Sequence, residues 1–139
     1  MTRRVYLHVG APKTGTTYLQ DRLALNRQEL ARHDVHYPLG LQASHFKAAL
    51  DLLDVSWGGQ REGARGEWAK LVDRVNRHDG TVIVSHEILA GARPQQVRRA
   101  MDDFAGSEVH LVYSARDLSR QIPAEWQEGV KHRRRRTFA

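Results

Sequence analysis

Between the short apolar run Val5-Tyr6-Leu7-His8-Val9 and the first stretch of helical periodicity lies Gly10-Ala11-Pro12-Lys13-Thr14-Gly15-Thr16-Thr17. A β-prone run that ends in glycine and passes directly into a helix start restricts the chain to folds in which a strand leads through a tight loop into a helix. Glycines let successive N–H groups converge on one point, and the helix N-terminus adds partial positive charge there. Such a place holds an anion. Lys13 adds a full charge, and the hydroxyls of Thr14, Thr16 and Thr17 can donate to phosphate oxygens.

The rest of the chain repeats the alternation. From Thr17 a helix is expected with Leu19, Leu23 and Leu30 on one face, and Val35-His36-Tyr37 reads as a short second strand. Phe46, Ala49, Leu50 and Leu53 follow helical spacing with Ser44 placed as a cap, and Trp68, Leu71, Val72 and Val75 repeat it. Between them, Val55 to Gly66 is a glycine-rich surface connection containing Gly58 and Gly59, with Trp57 available to an acceptor and Trp68 assigned to the core. Thr81-Val82-Ile83-Val84 is a strand, Val97, Met101 and Phe104 mark a short helix, and Val109 to Tyr113 is the last clear strand. Ile122, Trp126 and Val130 then start a helix with no strand after it. Strands joined by helices predict an α/β fold, a three-layer parallel sheet with helices on both faces, in one domain over residues 1–139 and with its sheet incomplete.

Composition narrows the function classes. A chain of 139 residues with 40% hydrophobic and 27% charged residues is an ordinary globular protein, and no apolar run is long enough to span a bilayer or act as a signal, so a cytoplasmic location is expected. The absence of cysteine excludes disulfides and thiolate metal sites. His33 and His36 have only Asp34 as a nearby acidic partner and His45 is on another segment, so no metal site is expected. The net charge of +6 is local: Lys131 to Arg136 carries five positive charges, leaving the remainder near +1. A solvated helix end is the preferred reading of that run, which disfavours a nucleic-acid partner.

The Gly10 to Gly15 spacing equals that of a Walker A loop, but Thr16 stands where that motif requires lysine. The shift argues against an ordinary magnesium-dependent nucleotide hydrolase. The segment Pro12 to Thr17 instead resembles the Pro-Lys-Ser/Thr-Gly-Thr-Thr signature of the sulfotransferase family, whose fold is P-loop-like. The resemblance implies that Pro12, Lys13, Thr14, Gly15, Thr16 and Thr17 grip the 5′-phosphosulfate of 3′-phosphoadenosine 5′-phosphosulfate (PAPS), the sulfuryl donor, without magnesium. Val112-Tyr113-Ser114-Ala115-Arg116-Asp117 looks like the family segment that binds the donor's 3′-phosphate, with Arg116 as its arginine. A guanidinium at the C-terminal end of a strand suits that task. The family's serine eight residues further on is Ala124 here, and Ser119 is the nearest substitute. Arg120-Gln121-Ile122-Pro123 resembles bacterial members, with Pro123 expected in the first turn of its helix.

Ser85-His86-Glu87 follows a strand and is expected on the same edge of the sheet. A base must take the acceptor's proton, with His86 the first candidate and Glu87 the second; a packed histidine beside a surface ion pair is an equally weighted alternative. The resemblance implies transfer of a sulfuryl group to a hydroxyl or amine of a small-molecule or carbohydrate acceptor. The family domain is longer, so the chain is expected to be a truncated form, inactive or completed by self-association through an open sheet edge. A small nucleotide kinase and a non-catalytic polyanion-binding module are the competing readings.

Overall fold

A computed structural model describes residues 2–39, 45–56, 61–133 and 137, with the backbone alone at 61 and 62. Strands β1 (Arg4–His8), β2 (Val35–His36), β3 (Thr81–Ser85) and β4 (Glu108–Val112) form one all-parallel sheet in the order β2-β3-β1-β4. Val5 lies opposite Val82 and Val109, and His8 opposite Ser85 and Val112. Helices α1 (Thr16–Leu25) and α2 (Arg27–Arg32) lead from β1 to β2. Helices α3 (His45–Leu53), α4 (Arg61–Ala64) and α5 (Glu67–Asn76) lead to β3. A 3-10 turn (Glu87–Gly91) and α6 (Pro94–Asp103) lead to β4, and α7 (Leu118–Lys131) follows it. The first crossover runs one way along the sheet and the next two run the other way. Right-handed connection therefore sends α1 and α2 to one face and α3, α5 and α6 to the other, giving the expected three-layer α/β arrangement.

Strand alternation turns Val5, Leu7, Val82 and Val84 toward α3, α5 and α6, which supply Ala48, Ala49, Leu52, Trp68, Leu71, Val75, Ala100 and Phe104. Each large apolar side chain buried here contributes about 1.5–3 kcal/mol. Trp68 is in the core as its spacing predicts: its indole N–H donates to Asp103 at 2.7 Å and its ring meets Phe104 edge-on at 5.6 Å. On the opposite face Tyr6 stacks on His110 at 4.8 Å, and both are only half-buried.

Four expectations are corrected. The helix after Thr17 is not continuous: it ends at Asn26, whose amide nitrogen donates to the Arg22 carbonyl at 2.8 Å, and α2 starts anew. Leu19 is exposed rather than buried. The Val55 to Gly66 connection contains the short helix α4. Pro123 lies inside α7, not in its first turn, because Asp117 caps the helix earlier by accepting from the Arg120 N–H at 3.1 Å. The expected cap Ser44, the acceptor candidate Trp57, Gly58, Gly59 and Arg134 to Arg136 lie outside the described residues.

Strand β4 has no neighbour on its outer side among the described residues, and Leu111 and Tyr113 are 68% and 60% exposed there. No helix of the described residues is long and apolar enough to cross a membrane.

Candidate functional site

Strand β1 sends its connection toward β2, whereas its neighbour β3 sends its own toward β4. The carboxyl ends of adjacent strands whose connections diverge leave a crevice between them, where open α/β sheets bind ligands. A cleft of about 580 Å³ lies at this point. Pro12, Lys13, Gly15, Thr16 and Thr17 line it from the loop after β1, His86, Glu87 and Ile88 from the turn after β3, and Arg116 from the segment after β4. Helix α7 closes the remaining side with Ala124, Glu125, Glu128, Gly129 and His132.

The loop is built to approach its surroundings closely. Gly10 has φ +117°, and a Cβ there would lie 3.1 Å from the Glu87 carbonyl oxygen, so only glycine lets the loop rest on the β3 turn. Ala11 N–H donates to the Ser114 carbonyl at 2.8 Å, fastening the loop to the segment after β4. Gly15, at φ 84°, caps α1 without a side-chain hydrogen bond, and no acidic residue stands in the first turn. The first N–H groups of that helix therefore face the cleft without an internal carboxylate.

Among the residues singled out from sequence, Pro12, Lys13, Gly15, Thr16, Thr17, His86, Glu87 and Arg116 come together. Two do not. Thr14 is outside the cleft lining, its hydroxyl donating to the Ala11 carbonyl at 2.5 Å. Ser119 is also outside, bonded through its hydroxyl to Asp117, while Ala124 does line the cleft.

Electrostatics distinguish the two base candidates. Glu87 accepts from the Gln20 amide at 2.9 Å. Burial pushes its carboxyl up, but the Gln20 bond, the charge of His86 and the Thr16 hydroxyl together hold it below the ordinary carboxylate value. It is ionised at neutral pH. His86 is held below the ordinary histidine value by burial, partly offset by Glu87, so its ring is neutral there. Its Nδ1 accepts from the Ile88 N–H at 3.3 Å, which puts the proton of the neutral ring on Nε2.

Glu128 and His8 take part in the site without belonging to any motif. Glu128 reaches Lys13 Nζ at 2.6 Å, and the hydrogen bond and charge of Lys13 pull its carboxyl down to about 2. Gln121 donates to the Pro12 carbonyl at 2.8 Å, and Arg116 to the Lys13 carbonyl at 2.9 Å. Helix α7 is therefore strapped over the loop. The available signal was the polar stripe Gln121, Glu125, Glu128 and His132 at helical spacing. Beneath the loop, buried His8 lies 2.8 Å from the Ser85 hydroxyl and 2.7 Å from that of Ser114, tying β3 and β4 to β1.

The fold and cleft define a parallel α/β protein with a lysine-bearing strand-loop-helix turn at a sheet crevice. Comparison with protein-family models, curated proteins and solved structures found no match to this chain.

Proposed function

We propose that the chain is a P-loop-like sulfotransferase domain that binds the 5′-phosphosulfate end of PAPS and directs the sulfuryl group toward an acceptor hydroxyl or amine. The observation that carries this reading is the convergence of Lys13, the uncapped start of α1 and the Glu87 carboxylate on one cleft. Helix N–H groups and an ammonium suit a dianionic phosphate, and the lysine position in the loop speaks against the magnesium-dependent alternative.

The donor fit is uneven. The 5′ end has Lys13, Thr16, Thr17 and the α1 N-terminus, whereas among the described residues the 3′-phosphate has only Arg116, because Ala124 offers no hydroxyl and Ser119 is outside the cleft. In the proposed reaction the acceptor oxygen or nitrogen forms a bond to sulfur while the bond from sulfur to the bridging phosphate oxygen breaks. Adenosine 3′,5′-bisphosphate leaves. Lys13 and the helix N–H groups offset the charge growing on that oxygen. Glu87 takes the acceptor proton, since it is ionised and His86 Nδ1 is occupied; the His86 Nε2–H is left to orient the acceptor by donating to it.

Calorimetric titration with adenosine 3′,5′-bisphosphate tests the donor site, with Lys13→Ala and ATP-magnesium as controls. Saturable binding to the wild type that Lys13→Ala abolishes is the expected result. A folded protein that binds neither nucleotide, or prefers ATP-magnesium, overturns the reading.

A further inference from the structure

A second cleft, of about 480 Å³, lies beside the short strand β2 and shares no lining residue with the first. Arg27 at the start of α2, Arg74 and Arg77 at the end of α5, and His36 and His78 surround it, and among the described residues no carboxylate is in its lining. Its floor is formed by Tyr37, Pro38 and Leu39, all buried. The Tyr37 ring is stacked on His45 at 4.3 Å and is buried.

The nearby acids account for only some of these cations. Asp73 pairs with Arg77 at 2.6 Å, and Asp34 lies 3.3 Å from His36. Among the described residues, neither Arg27 nor Arg74 has a carboxylate within ion-pair distance. The His36 and His78 rings stack at 3.8 Å, which fixes both imidazoles at the mouth of the cleft. Unpaired guanidiniums around a concave apolar floor are arranged to receive an oxyanion on an organic body. The volume is that of a small-molecule site.

We propose that this cleft is a second, independent binding site for a small phosphate or sulfate ester, with Arg27 and Arg74 gripping the tetrahedral anion and Tyr37, Pro38 and Leu39 underlying its organic part. The site does not depend on the function assigned to the first cleft.

The test is an NMR titration that follows the imidazole resonances of His36 and His78 while glucose 6-phosphate, glucose 6-sulfate or inorganic pyrophosphate is added at constant ionic strength. Saturable shifts with at least one ester are expected, and the two esters separate a phosphate source from a sulfate source. Lys13→Ala should leave them intact, whereas Arg27→Ala combined with Arg74→Ala should weaken binding roughly tenfold. Arg74→Lys keeps the charge but loses the planar fork, and should also weaken binding without disturbing the fold. The proposal fails if neither ester gives saturable shifts, if pyrophosphate alone does, if the arginine variants bind like the wild type, or if Lys13→Ala abolishes the shifts.

Discussion

At the scale of single residues, the Lys13–Glu128 pair stands where the proposed reading places an anion. The carboxylate is 2.6 Å from the ammonium that the proposed reading assigns to phosphate, so a ligand must displace it. Glu128→Gln should therefore strengthen adenosine 3′,5′-bisphosphate binding, by roughly fivefold given that both side chains are partly solvated. Weaker binding would mean that Glu128 orders the loop for its ligand. Lys13 itself is legible in the sequence, because a lysine between two loop glycines after a strand has few other uses. Glu128 is not: a glutamate on a polar helix stripe does not announce which loop that stripe will face.

Base assignment belongs to the same scale. Glu87 is held below the ordinary carboxylate value and must be ionised to accept a proton, so activity should be retained through neutral pH and lost only as pH falls through its depressed value. With Glu87→Gln, turnover should fall by about 10²–10⁴ while nucleotide binding is retained. His86→Gln should act mainly on the acceptor KM. The opposite pattern would make His86 the base. Sequence brings these two neighbours forward together with His86 ahead of Glu87; the order reverses only through the Ile88 N–H that occupies His86 Nδ1.

Among elements, the junction of α3 with the sheet carries a pH-dependent stability. His45 is buried, donates through Nε2–H to the Pro38 carbonyl and accepts the Ser85 N–H on Nδ1 at 3.0 Å. Burial lowers its value to about 4, against an upward effect from the Pro38 bond. The unfolded chain protonates this ring near pH 6.5 and the folded chain does not, so stability is full above about 6.5 and is lost as pH falls toward about 4. The loss amounts to roughly 3 kcal/mol at most. Thermal melts from pH 7.5 to 4 should show it, and His45→Gln should flatten the decline even if it lowers the plateau.

The loop and the β3 turn form a second such junction. Gly10→Ala forces a side chain into φ +117° against the Glu87 carbonyl and should cost about 1–3 kcal/mol by denaturant unfolding. Strand and helix positions are legible because apolar spacing records burial directly, as in Val5 and Leu7 or Trp68, Leu71 and Val75. Element ends are less so. Asn26 breaks a helix and Asp117 starts one through single side-chain hydrogen bonds, which leave no periodic trace.

For the whole molecule, the outer side of β4 is the feature that local pattern could only partly anticipate. The run Val109 to Tyr113 reads as the last clear strand, and in the structure Leu111 and Tyr113 are largely exposed, with Leu111 bordering an apolar cleft of about 320 Å³ beside Val97 and Met101 of α6. Apolar side chains beside an unpaired strand edge favour association. Self-association through an open sheet edge is therefore expected to use this face, and Leu111→Lys together with Val97→Lys should shift the chain toward monomer in sedimentation velocity without changing its adenosine 3′,5′-bisphosphate affinity. Salt separates this face from the basic C-terminal run. Apolar contact persists or strengthens as ionic strength rises, whereas contact through Lys131 and the arginines after it weakens as charges are screened. A chain that sediments as a monomer at every concentration would remove β4 as an association edge; an oligomer that dissolves with salt would assign association to the basic run instead.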